Sequence, residues 1–144
     1  MPRVGLISDT HGLLRPQALD FLRGSDLIVH AGDICDASVL AALGAIAPVT
    51  AVRGNNDIGT WAAALRETER LRVHDVELCV IHDLAALRLD PRTSGVRVVV
   101  SGHSHRPKVD ERDGVLYVNP GSAGPRRFTL PIALGELLID GAGV

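Results

Sequence analysis

Side chains of the kind that ligate metals follow five apolar runs of this sequence. The runs end in SDTHG, HAGD, RGNND, IHD and SGHSH, and they carry Asp9, His11, Asp33, Asn55, Asp57, His82, His103 and His105. Imidazole nitrogens together with carboxylate and amide oxygens, without a thiolate, suit a divalent ion such as Mn²⁺, Fe²⁺, Zn²⁺ or Ni²⁺. The five segments therefore predict a metal site.

The number of these side chains indicates two ions. Three or four groups hold one ion, whereas two ions about 3.5–4 Å apart with a shared carboxylate use about eight, and such a pair clamps both reacting oxygens of a phosphoryl centre. The i, i+2 spacing of Asp9 with His11 and of His103 with His105 predicts extended backbone, with each pair on one face. Glycines at positions 12, 32, 54 and 102 indicate positive φ or close backbone approach beside the ligands.

The apolar runs predict the elements that position these side chains. Val, Ile and Leu dominate residues 4–7, 27–29, 49–52, 77–81 and 96–100, which we interpret as five buried strands. Helices are predicted at 16–22 and 37–46, the second capped by Asp36. Strands alternating with helices favour a mostly parallel sheet, in which ligands bind beyond the carboxyl ends of the strands.

The later part of the chain predicts a different arrangement. Asp113 and Gly114 lie between two alternating runs, which is typical of a hairpin, and a final strand is expected within residues 131–140. Residues 60–71 are interpreted as a helix and residues 89–95 as a loop, with His74 at an exposed turn. Antiparallel strands are thus added to an α/β body.

Composition excludes several classes of protein. The chain has 144 residues, 46% of them hydrophobic, and a formal charge of −2, which predicts one domain spanning residues 1–144. Its arginines are spread among acids, so no basic stripe for duplex nucleic acid is expected. No apolar run reaches the roughly 20 residues of a membrane helix, and the cytoplasm is the expected location. The oligomeric state, including a homo-oligomer, stays open.

The motifs DTH, GDICD, GNND, IH and GHSH, in this order, resemble those of the calcineurin-like metallophosphoesterases. NPGS at residues 119–122 is similar to their small bacterial and archaeal phosphodiesterase branch. Each motif alone is weak, but five in order cover nearly the whole chain. The resemblance implies an α/β fold, a metallophosphoesterase-type β-sandwich of two mixed sheets flanked by α-helices.

The resemblance also implies the ligand sets. The first ion would be bound by Asp9, His11, Asp33 and His105, and the second by Asp33, Asn55, His82 and His103, with Asp33 bridging. Members hydrolyse phosphate esters with a hydroxide that bridges the two metals. The implied cofactors are two divalent ions, with Mn²⁺ favoured and Ni²⁺, Fe²⁺, Zn²⁺ or Mg²⁺ as alternatives, and the implied substrate is a small phosphoester. The candidate catalytic residues are Asn55, His103 and Asp57.

Two positions depart from the family pattern. Many phosphomonoesterases of the superfamily have a histidine that protonates the leaving oxygen where this chain has Asn56. An amide donates no proton at neutral pH, so we expect activated phosphodiesters as substrates, or a water as the proton donor. Asp83 replaces the usual glycine after His82, and it could either ligate a metal or repel an anionic substrate.

Other candidates each have an alternative interpretation. Asn56, Arg126 and Arg127 are candidate substrate-binding residues, because a guanidinium fork can hold phosphate oxygens, although exposed arginines often hold nothing. The alternative interpretation of Asp57, named above as a candidate catalytic residue, is an Asx-turn. His30 is expected to be a buried histidine that supports the ligands.

These observations favour a dinuclear metal-dependent phosphoesterase, most specifically a phosphodiesterase. The alternative is a weak or inactive scaffold of the same fold that acts by protein binding, as a eukaryotic sorting-complex subunit does. A nuclease is disfavoured by the missing basic patch.

Overall fold

Nine strands and four α-helices follow one another along the chain, and the computed structural model describes all 144 residues. The strands are β1 (Arg3–Ile7), β2 (Leu27–His30), β3 (Val49–Ala51), β4 (Thr68–Val73), β5 (Val76–Ile81), β6 (Val98–Val100), β7 (Lys108–Arg112), β8 (Val115–Asn119) and β9 (Gly135–Leu138). The helices are α1 (Pro16–Leu22), α2 (Ala37–Gly44), α3 (Thr60–Ala63) and α4 (Pro91–Ser94), with a 3-10 turn at Leu84–Ala86. No helix is long and apolar enough to cross a membrane.

The strands form two mixed sheets. The first has the order β3-β2-β1-β9, with β9 antiparallel to β1 and the other pairs parallel. The second has the order β4-β5-β6-β8-β7, in which β5, β6 and β8 are parallel and the two outer strands are antiparallel to their neighbours. The predicted fold class is confirmed, including the hairpin at Asp113 and Gly114, which joins β7 to β8.

The principal core lies between the two sheets. Val4 and Leu6 of β1 pack in one cluster with Leu78 of β5 and Val98 and Val100 of β6, and all five are fully buried. A second cluster lies under α1 and α2, where Leu22 and Leu43 cover the outer face of the first sheet. Burying such side chains stabilises the fold by roughly 1.5–3 kcal/mol each. The sandwich therefore fixes which strand ends face one another.

Helix α2 begins as the sequence predicts. Asp36 has an extended backbone and accepts a hydrogen bond from the Ser38 amide at 2.9 Å, which is N-cap geometry. That hydrogen bond lowers the pKa of Asp36. The cap holds the start of the helix next to the loop that carries Asp33.

The prediction of a helix at residues 60–71 is wrong. Only Thr60–Ala63 is helical, and Thr68–Val73 is an edge strand that pairs along its whole length with β5. Exposed and half-buried residues alternate along β4, a period of two that suits an edge strand. His74, exposed and with a φ of 50°, turns the chain between the two strands, so the predicted turn there was the signal for a hairpin.

Residues 89–95 are also not the loop that was predicted. Pro91 occupies the first turn of α4, where its missing N–H costs nothing, and Asp90 caps that turn through the Arg92 amide. The left-handed Gly95 then ends the helix. This segment covers the outer face of the second sheet together with Leu84 and Leu87.

Candidate metal centre

The ligand-type side chains come together where strands of both sheets end. Asp9 and His11 follow β1, Asp33 follows β2, and Asn55 follows β3. The second sheet contributes His82 after β5, and His103 and His105 after β6. The parallel core strands of the two sheets thus bring seven side chains to one edge of the sandwich.

One group of atoms surrounds the Asp9 carboxylate. Asp9 Oδ1 lies 3.3 Å from His105 Nε2 and 3.9 Å from His11 Nε2. Asp33 Oδ2 is 3.7 Å from the same His11 nitrogen. Asp9, Asp33 and His105 are almost completely buried. These four side chains are those that the resemblance assigned to the first ion.

A second group adjoins it on the other side of Asp33. Asp33 Oδ2 lies 3.3 Å from His82 Nε2. Asn55 Oδ1 is 3.0 Å from that nitrogen and 3.3 Å from His103 Nδ1. Asp33 Oδ2 therefore stands between His11 of the first group and His82 of the second. Asp9 Oδ1, at 3.9 Å from His82 Nε2, is shared as well.

The donor set fits divalent cations. Asp9 Oδ1 and His11 Nε2 are buried and have no hydrogen-bond partner, although unpaired buried polar atoms are costly. Burial lowers the pKa of His82, but Asp33, the Ala31 carbonyl and Asp9 raise it more, so the net shift is upward. The field at the centre of the site thus favours a positive charge, which a metal ion supplies.

Hydrogen bonds aim two of these ligands. Asp9 Oδ2 accepts from Ser8 Oγ at 2.7 Å and from the His103 amide at 3.1 Å, which leaves Oδ1 to face the site. His82 Nδ1 donates to the Ala31 carbonyl at 2.7 Å, so its Nε2 lone pair points at Asn55 and Asp33. Such supporting contacts fix the tautomer and orientation of a ligand.

The backbone at the site is not extended, contrary to the prediction from the i, i+2 spacing. Nine residues other than glycine have positive φ, and five of them are Asp9, His11, Asp33, His103 and His105. A residue with a Cβ atom disfavours the left-handed region, so this backbone conformation is kept only where the surrounding structure holds it. The turn between His103 and His105 sends His103 to the second group and His105 to the first.

Two glycines allow the loops to approach closely. A Cβ atom at Gly54 would collide with the Asp33 amide and carboxylate, and one at Gly102 would collide with Ser8 and Asp9. Both glycines are therefore required by contact and not by positive φ. The prediction that glycine permits close approach beside the ligands is confirmed at these positions.

An open cavity of about 450 Å³ borders the second group of ligands, and we call it the site cavity. Asn55, His82 and His103 lie along one wall, and Arg53 and Arg88 lie among the other lining residues. The volume is within the usual range for a small-molecule site, roughly 300–1,000 Å³.

Comparison with known proteins decides the family. A model of the calcineurin-like phosphoesterase superfamily domain matches residues 3–140. This chain belongs to that superfamily. It is 39% identical over 132 residues to a probable metallophosphoesterase of Methanocaldococcus jannaschii, covering 83% of this chain and 67% of that protein. A probable metallophosphoesterase of Methanothermobacter thermautotrophicus is 38% identical, over 96% of this chain and 86% of its own.

Two more distant similarities bear on function. A phosphodiesterase of Methanocaldococcus jannaschii is 25% identical over 83% of this chain and 82% of its own length. The crystal structure of Vps29 in complex with Zn²⁺ from Entamoeba histolytica superposes with a TM-score of 0.77 at 25% identity, covering 96% of this chain and 87% of that one. The superfamily assignment confirms the resemblance inferred from the five motifs.

Asp57 has a different environment from that of a group that reacts with substrate. Its two carboxylate oxygens accept hydrogen bonds from the amides of residues 33, 34, 35 and 54, at 2.8 to 3.0 Å. The carboxylate is buried and faces backbone, so it shapes the loop that presents Asp33. These contacts favour a positioning role for Asp57, and its assignment as a catalytic residue stays a prediction.

Asn56, which stands where many phosphomonoesterases of the superfamily have a histidine, faces Asp33. Its side-chain amide donates to Asp33 Oδ2 at 3.0 Å, and its backbone amide donates to Oδ1 at 2.9 Å. Asn56 therefore holds the carboxylate shared by the two groups. Asn56 is not among the residues that line the site cavity, and its assignment as a substrate-binding residue stays a prediction.

Asp83 caps the 3-10 turn. Its Oδ1 accepts from the Ala85 amide at 3.1 Å, and its side chain is not among the metal-ligating groups. Asp83 lies on the border of the site cavity. Of the two alternatives for this residue, the structure favours a negative charge at the border of the cavity over a metal ligand.

Arg126 and Arg127 lie in an exposed loop near the first group. Burial lowers the pKa of His105, Asp9 raises it, and the charge of Arg127 lowers it further, which places this guanidinium within electrostatic reach of the ligand. Arg126 has no hydrogen bond or ion pair. The side chain of Arg127 has none either, and of the two arginines only Arg127 contributes to the pKa shift of His105.

The sequence analysis did not identify two serines that contact Asp9, nor the hydrogen bonds by which His30 connects Gly32 with Thr10. Ser8 and Ser122 both bind Asp9, the first at the carboxylate and the second at the carbonyl oxygen at 3.0 Å. The Gly32 amide donates to His30 Nδ1, and His30 Nε2 lies 3.0 Å from Thr10 Oγ1. Ser122 belongs to the NPGS motif, which was the available signal. The predicted burial of His30 is confirmed, at 0% exposure.

Proposed function

We propose that this superfamily member hydrolyses phosphodiesters with two divalent metal ions, Mn²⁺ being the ion we expect. The observation that carries the proposal is the pair of adjoining ligand groups with Asp33 Oδ2 between them. Asp9, His11, Asp33 and His105 would hold the first ion, and Asp33, Asn55, His82 and His103 the second. When bound, two such ions make water more acidic and stabilise the charge of a phosphoryl transition state.

The chain's own residues position these groups and exclude alternatives. Burial raises the pKa of Cys35 to about 11, with Asp57, Asp33 and Asp9 adding to the shift, which disfavours this thiol as a nucleophile at pH 7. Asn56, engaged with Asp33, offers no proton to a leaving oxygen. Good leaving groups such as phenolates are therefore the preferred ones.

Arg127 supports binding of an anionic substrate near the first ion, and Arg53 and Arg88 do so along the site cavity. One relative is described as a phosphodiesterase, and this description supports a diester, rather than a monoester, as the proposed substrate of this chain. A small phosphoester acted on in the cytoplasm is the substrate that the sequence argument favours.

The Asp33→Ala variant tests this proposal. Purified protein with Mn²⁺ should hydrolyse bis-p-nitrophenyl phosphate, and Asp33→Ala should lose at least about a hundredfold in kcat/KM, because both ions lose a ligand. Asp20→Ala, an exposed acid of α1, is the matched control and should retain activity.

Metal content, measured by mass spectrometry on the same samples, distinguishes the proposed hydrolase from the alternative of a scaffold without activity. Two equivalents of metal without turnover of any phosphodiester would indicate a scaffold that acts by protein contact. Equal rates for the parent protein and Asp33→Ala would refute the proposed site.

A further inference from the structure

A second cavity, of about 340 Å³, adjoins the site on the outer face of the second sheet, and we call it the β7 cavity. Its floor is the loop of residues 101–104, which carries His103, and its far wall is β7 with Tyr117 of β8. His103 and Asp83 line both cavities. The β7 cavity therefore adjoins the site cavity at His103 and Asp83.

The wall of this cavity is strongly charged because of strand geometry. Arg106 precedes β7, and Lys108, Asp110 and Arg112 alternate along it, so period two places their side chains on one face. All four residues line the cavity. The chain has a single lysine, and it lies here.

One of the three cations on this wall is already paired, and the other two are not. Arg112 pairs with Asp110 at 3.1 Å, and its guanidinium carbon lies 4.3 Å from the centre of the Tyr117 ring. The side chains of Arg106 and Lys108 have no ion pair or hydrogen bond; the only hydrogen bond of Arg106 is from its backbone amide to Ser104 Oγ. Two neighbouring unpaired cations repel one another, and a bound anion relieves that repulsion.

The position of the floor is set by hydrogen bonds. Asn119 Nδ2 donates to the Gly102 carbonyl at 3.0 Å and to Ser104 Oγ at 3.1 Å. The loop between the ligand His103 and the two free cations is therefore held in place. These hydrogen bonds fix the backbone that leads from the metal site to the cation pair.

We propose that the β7 cavity binds a second phosphate group of the substrate, carried on one arm of the diester that the metal site cleaves. This inference rests on the proposed function and narrows its substrate class to phosphodiesters that bear a further phosphate monoester. Arg106 and Lys108 bind that group by charge-assisted hydrogen bonds, which phosphate oxygens accept readily.

A matched pair of chromogenic esters tests the proposal. Thymidine 5′-(p-nitrophenyl phosphate) and the same ester with a 3′-phosphate share one scissile bond and differ only in the second phosphate. The metal-loaded protein should show about a tenfold higher kcat/KM for the 3′-phosphorylated ester, the factor that about 1.4 kcal/mol supplies. In an Arg106→Gln, Lys108→Gln double variant, the ratio of the two kcat/KM values should fall to about one.

The control variant is Arg72→Gln, which removes one exposed positive charge from β4 at the opposite edge of the sheet and should keep the tenfold ratio. A parent protein that cleaves both esters equally well, or a double variant that keeps the preference, would overturn the subsite while leaving the proposed function intact.

A binding measurement separates the two proposals if neither ester is cleaved. Calorimetry of the metal-loaded protein should show tighter binding of thymidine 3′,5′-bisphosphate than of thymidine 5′-phosphate, and the double variant should bind both alike. Absence of turnover with this difference present refutes the hydrolase and supports the subsite. Equal affinities in the parent protein refute the subsite.

Discussion

At the scale of single residues, carboxylates of one chemical type are used in three ways around this site. Asp33 stands between the two groups of ligands, Asp57 is occupied by four backbone amides, and Asp83 caps a turn beside the cavity. Their types and order in the sequence do not distinguish these uses. The partners that each carboxylate contacts come from other strands, and those partners decide its task.

Asp83 gives a prediction at this scale. Asp83→Asn keeps an oxygen that can cap the 3-10 turn but removes a negative charge from the border of the site cavity. Its kcat/KM for bis-p-nitrophenyl phosphate should rise by roughly two- to fivefold, as expected when an unfavourable exposed charge interaction of about 0.4–1 kcal/mol is removed.

Asp83→Ala is the matched comparison, since it removes the charge and the cap together. It should show the same gain in kcat/KM with a loss of roughly 0.5–1 kcal/mol in the free energy of unfolding. A fall in kcat/KM for both variants, with bound metal reduced, would instead make Asp83 a ligand.

At the scale of elements, His30 connects the loops after β1 and β2. It accepts from Gly32, lies in hydrogen-bond distance of Thr10, and is fully buried, so the neutral ring satisfies both contacts. Burial lowers the pKa of His30 to about 3, with the charge of His82 contributing. The pair of loops that carries Asp9 and Asp33 is thus held by a group that resists protonation.

This shift predicts a loss of stability in acid. An unfolded histidine has a pKa of about 6.5, so between pH 6.5 and about pH 3 the unfolded chain binds a proton at His30 that the folded protein does not. Above pH 6.5 this difference does not reduce the free energy of unfolding, and below pH 6.5 the reduction grows as the pH falls. At pH 5, protonation of His30 in the unfolded chain lowers the free energy of unfolding by about 2 kcal/mol.

Urea unfolding at pH 7 and pH 5 measures this contribution. Between the two pH values, the parent protein should lose about 2 kcal/mol more than His30→Gln, which keeps an acceptor and a donor but does not titrate. The difference between the two proteins isolates His30 from the other histidines. Identical losses would show that His30 keeps an ordinary pKa in the folded protein.

At the scale of the whole molecule, the site joins the two sheets. Asp9, His11, Asp33 and Asn55 come from ends of the first sheet, and His82, His103 and His105 come from ends of the second. A metal ion bound by both sets therefore links the two halves of the sandwich. Binding only to the folded chain, it should stabilise the fold as a whole.

Metal removal tests this link. With free Mn²⁺ at a hundred times its dissociation constant, the free energy of unfolding should exceed that in EDTA by about 2.7 kcal/mol. Asp33→Ala should gain much less at the same Mn²⁺ concentration. Urea unfolding with and without the ion measures the difference, and a parent protein that binds Mn²⁺ with no gain in stability would contradict it.

The sequence by itself determined the types of ligand, their order along the chain and the strands that carry them, because apolar runs and the polar residues that end them are local features. The family and the mixed sandwich followed from the same motifs. Helix α2 and its Asp36 cap were equally predictable, since both depend on residues a few positions apart.

Only the tertiary structure decided the rest, because it depends on contacts between distant residues. Pairing with β5 makes residues 68–73 a strand, whatever helical pattern they carry. Four amides from two loops make Asp57 a support, and left-handed turns send His103 and His105 to different groups of ligands. Local sequence specifies which atoms can bind a metal, whereas the packing of two sheets decides which of them meet.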